Sequence, residues 1–269
     1  MIKIVQAIKR RLARHQQLLN QYKDPHTIFI YQMGKVGSTS LTLGINNTLH
    51  VHAFYLKNHT CPTRLQGLAK FGLLHIVYRA EQEVMAYLVR RAFRQRKHSK
   101  IITLVREPVA RNMSMFFHDL DAYLFAAHTN CMNTRDKALP TRFQDMDLLN
   151  KVFEQEFDHY YPLNWFDNEF ARMTGLNIYD YDFNRDLGYC LIKKPSVEVF
   201  CLRTDKIAER MDDLSEFCGS KVNLSSVNRA DDKWYHEVYK QFSREYSYST
   251  DELHKIYNSQ FFQHFFQKK

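Results

Sequence analysis

The residues best suited to chemistry are Lys35, Val36, Gly37, Ser38, Thr39 and Ser40, within the stretch from Thr27 to Leu41, TIFIYQMGKVGSTSL. A glycine-containing turn between an apolar run and a helix-like stretch is how a chain builds a cradle for phosphate. Amide N–H groups at a helix start lack intrahelical partners and point toward an anion. Gly34 and Gly37 permit a tight turn and a close backbone approach. The hydroxyls of Ser38, Thr39 and Ser40 suit a helix start, and Lys35 adds a positive charge.

A second segment repeats the logic. KIITLVREPVARNMSMFF, from Lys100, is an apolar run that ends in Arg106, turns through Glu107-Pro108 and enters a helical pattern. Pro108 suits the first helical position. Arg106 offers a permanently charged fork for phosphate oxygens, and Ser114 adds a hydroxyl donor about two turns into the helix. Alone, Arg106 would read as a surface ion-pair partner of Glu107. A third segment, NRADDKWYHEVYKQF from Asn228, supplies Arg229, Lys233 and the pair Trp234-Tyr235. Trp234, Val238 and Phe242 also share one helical face, the pattern of core residues.

The elements that must position these groups alternate. Strand-like runs near 28 to 31, 51 to 55, 101 to 105 and 197 to 202 are separated by long helical stretches. That pattern predicts an α/β fold, a central mostly parallel sheet flanked by helices, with ligands at the carboxyl ends of the strands. With 269 residues, 45% hydrophobic and no long linker, the chain reads as one domain over 1–269. The helical insertions at 62 to 96 and 139 to 174 are large, and the aromatic series Phe153, Phe157, Tyr160, Tyr161, Trp165, Phe166 and Phe170 reads mainly as core. Residues 1–22 read as a basic amphipathic helix, with Ile4, Ile8 and Leu12 on one face and too short an apolar stretch for a signal peptide or a membrane span. It is expected to dock on the domain, with contact to an anionic membrane surface as the weaker alternative. Arg90, Arg91, Arg94, Arg96 and Lys97 read as the wet face and end of a helix.

The formal charge of +9 implies an anionic partner. Nucleic acid is not expected, because the basic residues are spread and no binding-module signature occurs. Five cysteines without a CxxC pair fit reduced thiols and a cytoplasmic location, and no ligand spacing calls for a metal.

The loop is not the nucleotide-hydrolysing GxxxxGK[ST], because Lys35 precedes Gly37. Its order, K-x-G-[ST]-T, resembles the 5′-phosphosulfate loop of sulfotransferases that use 3′-phosphoadenosine 5′-phosphosulfate (PAPS), and Arg106 with Ser114 resembles their 3′-phosphate segment. The words N-R-x-x-x-K-W-Y resemble a bacterial group of capsular polysaccharide synthesis proteins within that fold. The resemblance implies a P-loop-like sulfotransferase with PAPS as co-substrate, no metal, and a carbohydrate hydroxyl as acceptor. It assigns Lys35 to the departing oxygen, Arg106 and Ser114 to the nucleotide, and Arg229 to a closing basic loop. A base must take the acceptor proton. His52, on the expected strand after the cradle helix, is the favoured candidate, with His50, His75, His118 or a carboxylate as alternatives. The competing functions are a P-loop kinase or nucleotide-binding protein and a non-catalytic polyanion-binding module.

Overall fold

The computed structural model describes residues 2–55, 73–124, 145–223 and 233–267. Arg229, Cys61 and Cys131 lie outside the described residues, as do the side chains of Ser40 and His75.

Five strands form one sheet in the order β2-β1-β3-β5-β4. They are β1 (Ile28–Tyr31), β2 (Thr48–Val51), β3 (Ser99–Val105), β4 (Tyr189–Lys194) and β5 (Val197–Arg203). β2, β1, β3 and β5 run parallel, with Ile28 opposite both Thr48 and Lys100 and Ser99 opposite Val197. β4 is antiparallel to β5, a hairpin that the sequence reading did not separate from the strand beside it. Its alternating burial is that of an edge strand, with Lys193 and Lys194 exposed, so it lacks the continuous apolar run of an interior parallel strand. β1 is buried along its whole length, as its β-branched and aromatic residues require.

The expected strand at 51 to 55 is displaced. β2 ends at Val51, and His52 to Tyr55 form the chain leaving it. The path from β1 through α2 (Thr39–Gly44) to β2 turns to one side of β1, whereas β3 lies on the other. Loops from neighbouring β1 and β3 therefore diverge and open a crevice at their carboxyl ends.

Helices cover the sheet. α1 (Ile2–Lys23) packs on α3 (Leu73–Arg94), and Arg11 pairs with Glu81 across them. Tyr22 and Phe93 from these helices stack against Phe29, with ring centroids 5.6 and 5.0 Å away. The N-terminal helix docks through Leu18, Leu19 and Tyr22 in its later turns, whereas Leu12 of the expected apolar face is 61% exposed and the side chains of Ile4 and Ile8 lie outside the described residues. No helix of the described residues is long and apolar enough to cross a membrane. At the end of α3 Arg91, Arg94 and Lys97 are exposed, as expected, while Arg90 and Arg96 are half-buried. Arg90 donates to the Phe54 carbonyl at 2.7 Å, Arg94 to the Tyr55 hydroxyl at 2.7 Å, and Arg96 to the carbonyls of Tyr22 and Asp24 at 2.9 and 2.5 Å. Their long side chains let the guanidinium leave the helix face and reach main-chain carbonyls, or for Arg94 a tyrosine hydroxyl, on neighbouring segments.

α4 (Pro108–His118), α5 (Met146–Glu156) and α8 (His236–Glu245) share an aromatic core in which Phe116 lies 4.9 Å from Phe153 and 5.9 Å from Phe242. α6 (Tyr161–Trp165) continues into a π-helical turn, Phe166–Ala171, whose Phe170 stacks on Tyr31 at 5.7 Å. Of the aromatic series, Phe153, Phe157, Trp165, Phe166 and Phe170 are core, while Tyr160 is exposed. α2 (Thr39–Gly44), α7 (Met211–Cys218), α9 (Thr250–Tyr257) and α10 (Gln260–Phe265) complete the helical cover.

Candidate functional site

Two loops meet at the crevice beyond β1 and β3. Arg106, the first residue past β3, donates Nη1–H to the Lys35 carbonyl at 3.1 Å. Arg111, only 2% exposed on α4, donates Nε–H to the neighbouring Gly34 carbonyl at 3.1 Å. The Thr204 hydroxyl lies 2.8 Å from the Val36 carbonyl and 3.0 Å from that of Val105, so one hydrogen is shared between the loop and the end of β3. Each carbonyl turned back into the protein is matched, which leaves the loop in a single shape. That shape is unusual, because Lys35 has φ 68° and Gly37 φ 83°. A lysine in the left-handed region costs on the order of 1–2 kcal/mol, and the three carbonyl partners offset it.

Glu107 is not paired with Arg106. Its carboxylate caps α4, accepting from the amides of Val109 and Ala110 at 3.1 and 2.8 Å, with Pro108 beginning the helix as predicted. Arg106 is therefore left to the loop. Ser38 precedes α2 without a side-chain capping bond, and its Oγ lies 3.0 Å from His50 Nε2. α2 spans only 6 residues, so its dipole is small.

The resulting cleft, about 380 Å³, is lined by Lys35, Gly37, Ser38, Thr39, His50, His52, Arg106, Ser114, Phe117, His118, Lys233, Tyr235 and Tyr239. Its size lies within the range of small-molecule sites, about 300–1,000 Å³. Lysine, arginine and histidine supply its ionisable lining apart from the two tyrosines, and no carboxylate occurs among these described residues. Such a lining favours a multiply charged anion. Burial, then the nearby Lys233 and Arg106, holds the Lys35 ammonium below its ordinary pKa. A bound anion would reverse that tension by pairing the crowded cations.

The two histidines of the cleft differ. His50 and His52 rings are 4.3 Å apart. Burial and the neighbouring His52 push His50 down to about 4. Burial also lowers His52, as do Arg111 and His118, against the raising effect of its bond to Gln32. His52 Nδ1 lies 3.2 Å from the Gln32 carbonyl, which can only accept, so Nδ1 carries the proton and Nε2 is the basic nitrogen.

The structure thus brings Lys35, Gly37, Ser38, Thr39, Arg106, Ser114 and His52 around one cleft. Val36 contributes backbone, since its side chain is buried in the core. Trp234 corrects the helical-face reading: it precedes α8 and is 64% exposed, whereas Val238 and Phe242 are buried. Lys233, Tyr235 and Tyr239 were absent from the sequence-derived site. The K-W-Y word held the first two, but nothing local shows which way they turn. Arg111 was missed because it lies among apolar residues of α4, where a buried guanidinium can be found only from its partners.

Residues 141–267, a little under half of the chain, match the family NKWYS, described as "Putative capsular polysaccharide synthesis protein". The match includes Lys233 and Tyr235 and begins after the segments that carry Lys35, His52 and Arg106. No curated protein and no solved structure matches the chain. The chain is therefore similar, over its carboxyl-terminal part, to a family associated with polysaccharide synthesis, and its fold is a mixed α/β body on a mostly parallel sheet.

Proposed function

We propose that the protein is a PAPS-dependent sulfotransferase that moves a sulfuryl group to a carbohydrate hydroxyl. The observation that carries the reading is the bond from Arg106 to the Lys35 carbonyl, which joins the two segments resembling the 5′- and 3′-phosphate elements of that family at one basic cleft. The family match over residues 141–267 supports a polysaccharide acceptor.

In this reading Arg106 and Ser114 hold the nucleotide's 3′-phosphate, and the amides and hydroxyls of Gly37, Ser38 and Thr39 hold the 5′-phosphate. His52 Nε2 takes the proton of the acceptor hydroxyl as its oxygen forms the new S–O bond. Lys35 stabilises the charge that grows on the departing 5′-phosphate oxygen as the old S–O bond breaks in line. Lys233 adds a further cation to the cleft, and the half-buried Tyr235 and Tyr239, backed by the buried Phe117, are aromatic groups on which a sugar ring can stack. The lowered pKa of His52 keeps the imidazole neutral and competent as a base at neutral pH.

The test is PAPS turnover with polysaccharide acceptors by wild type and Lys35→Ala. The variant is expected to lose on the order of 10²-fold or more in kcat, as loss of a transition-state charge stabiliser does. Equal turnover by the variant would remove Lys35 from the mechanism.

A further inference from the structure

His52 stands on chain that has already left the sheet, so something other than strand pairing must hold it. Phe54 and Tyr55, next along that chain, are buried, and their amides have no strand partner. Both amides donate to a single carboxylate. Glu169 Oε2 accepts from Phe54 N at 2.9 Å and from the Tyr31 hydroxyl at 2.9 Å, and Oε1 accepts from Tyr55 N at 3.0 Å. Glu169 is 0% exposed. One turn earlier, Trp165 donates Nε1–H to the carbonyl of His52 itself at 3.3 Å.

The chemistry of the group is specific. A carboxylate can accept at both oxygens, which matches the three donors named above. A glutamine amide would turn its NH₂ either toward the Tyr55 amide or toward the Phe54 amide and the Tyr31 hydroxyl. Either orientation sets a donor against a backbone donor. The π-helical turn over Phe166–Ala171 carries the carboxylate while α6 carries the indole, so both address the same stretch of chain. Wide turns of this kind are rare and recur at functional sites. Both residues also lie in the family-matched portion, whereas His52 does not, so the matched half grips the half that bears the cleft loop.

We propose that Glu169 and Trp165 are positioning residues for His52, holding the chain beyond β2 so that Nδ1 stays on the Gln32 carbonyl and Nε2 serves the cleft. The catalytic consequence rests on the reading of His52 as the base, while the geometric claim stands apart from it. Among the described residues, the charged and titratable groups around His52 are His50 on β2, Arg111 and His118 on α4, and Lys35, Lys233, Tyr235 and Tyr239 lining the same cleft. None of these is altered by a change at Glu169 or Trp165, so a response at His52 would report its position.

The experiment is ¹⁵N-edited imidazole NMR across pH on wild type, Glu169→Gln and Trp165→Phe, with the His52 signal assigned by its loss in His52→Ala. Wild type is expected to show one neutral tautomer, protonated at Nδ1, and a midpoint below about 6.5, the unperturbed histidine value. In Glu169→Gln the tautomers should mix and the midpoint should move toward that value, with a smaller move the same way in Trp165→Phe. If Glu169→Gln does not fold, Trp165→Phe decides. Mixed tautomers in wild type, or an unchanged His52 in the folded variants, would overturn the proposal. In PAPS turnover, Glu169→Gln should lose on the order of 10²-fold in kcat, the effect of misplacing a catalytic group by about 1 Å, with an unchanged KM for the donor. A His52 that responds in the titration in a protein that never turns over PAPS would keep the positioning and defeat the sulfotransfer reading.

Discussion

Arg106 and Lys35, 71 residues apart in sequence, are joined by a hydrogen bond of 3.1 Å from guanidinium to main-chain carbonyl. The bond ties the loop after β1 to the end of β3 and keeps two cations beside one another. Burial, then Lys233 and Arg106, lowers the Lys35 ammonium's affinity for its proton, while Asp119 acts in the opposite direction. A cleft so arranged is relaxed by an anion, and each prediction below probes one part of that arrangement.

Gly37→Ala should weaken both the loop and its ligand. At φ 83° an added Cβ would stand 3.0 Å from Thr204 Cγ2, and that threonine's hydroxyl holds the loop. The left-handed backbone alone costs about 1–2 kcal/mol for a non-glycine residue. Denaturant unfolding should show a loss of about that size, and a variant as stable as wild type would place the strain elsewhere.

Trp234 and Phe242 share a helical face by sequence spacing but differ in burial, at 64% and 0% exposure. Phe242→Ala should cost about 3–5 kcal/mol, as removal of a buried aromatic does. Trp234→Ala should stay within about 0.5 kcal/mol. Chemical denaturation of the two variants gives the comparison, and a large loss at Trp234 would show it to be a core residue.

His50 should make the fold acid-sensitive. Its folded-state pKa, pushed down to about 4 chiefly by burial, lies below the unfolded value of 6.5. Between those values the unfolded chain binds the extra proton, so the stabilising contribution is complete above about 6.5 and is lost as pH falls toward 4. His50→Gln should flatten the decline in unfolding midpoint between pH 7 and 5. A parallel decline in wild type and variant would assign the sensitivity to other groups.

The parts of the fold legible in the sequence were those fixed by local pattern. Ile28 to Tyr31 and Ile101 to Val105 are interior parallel strands, whose apolar runs are continuous, and Pro108 marks the start of α4 where its missing N–H is harmless. Arg106 was legible because it follows such a strand directly, and Lys35 and Gly37 because they lie in the short turn after one. β2 was misplaced because it is an edge strand with Thr48 and His50 only partly buried, so its pattern is weaker than the apolar residues that follow it. The partners of Arg90 and Arg96 were not legible because charge is local while the carbonyls they reach lie 36 to 74 residues away. Glu169 could not be found for the same reason: the donors named above come from β1 and the chain beyond β2.

The most direct test of the central claim is calorimetry with 3′-phosphoadenosine 5′-phosphate, without added metal, on wild type and Arg106→Ala. The account predicts saturable one-to-one binding by wild type and a loss on the order of tenfold or more in the variant, since a charge-assisted contact contributes about 1.5–3 kcal/mol. Absence of binding by wild type, or equal affinity in the variant, would contradict it.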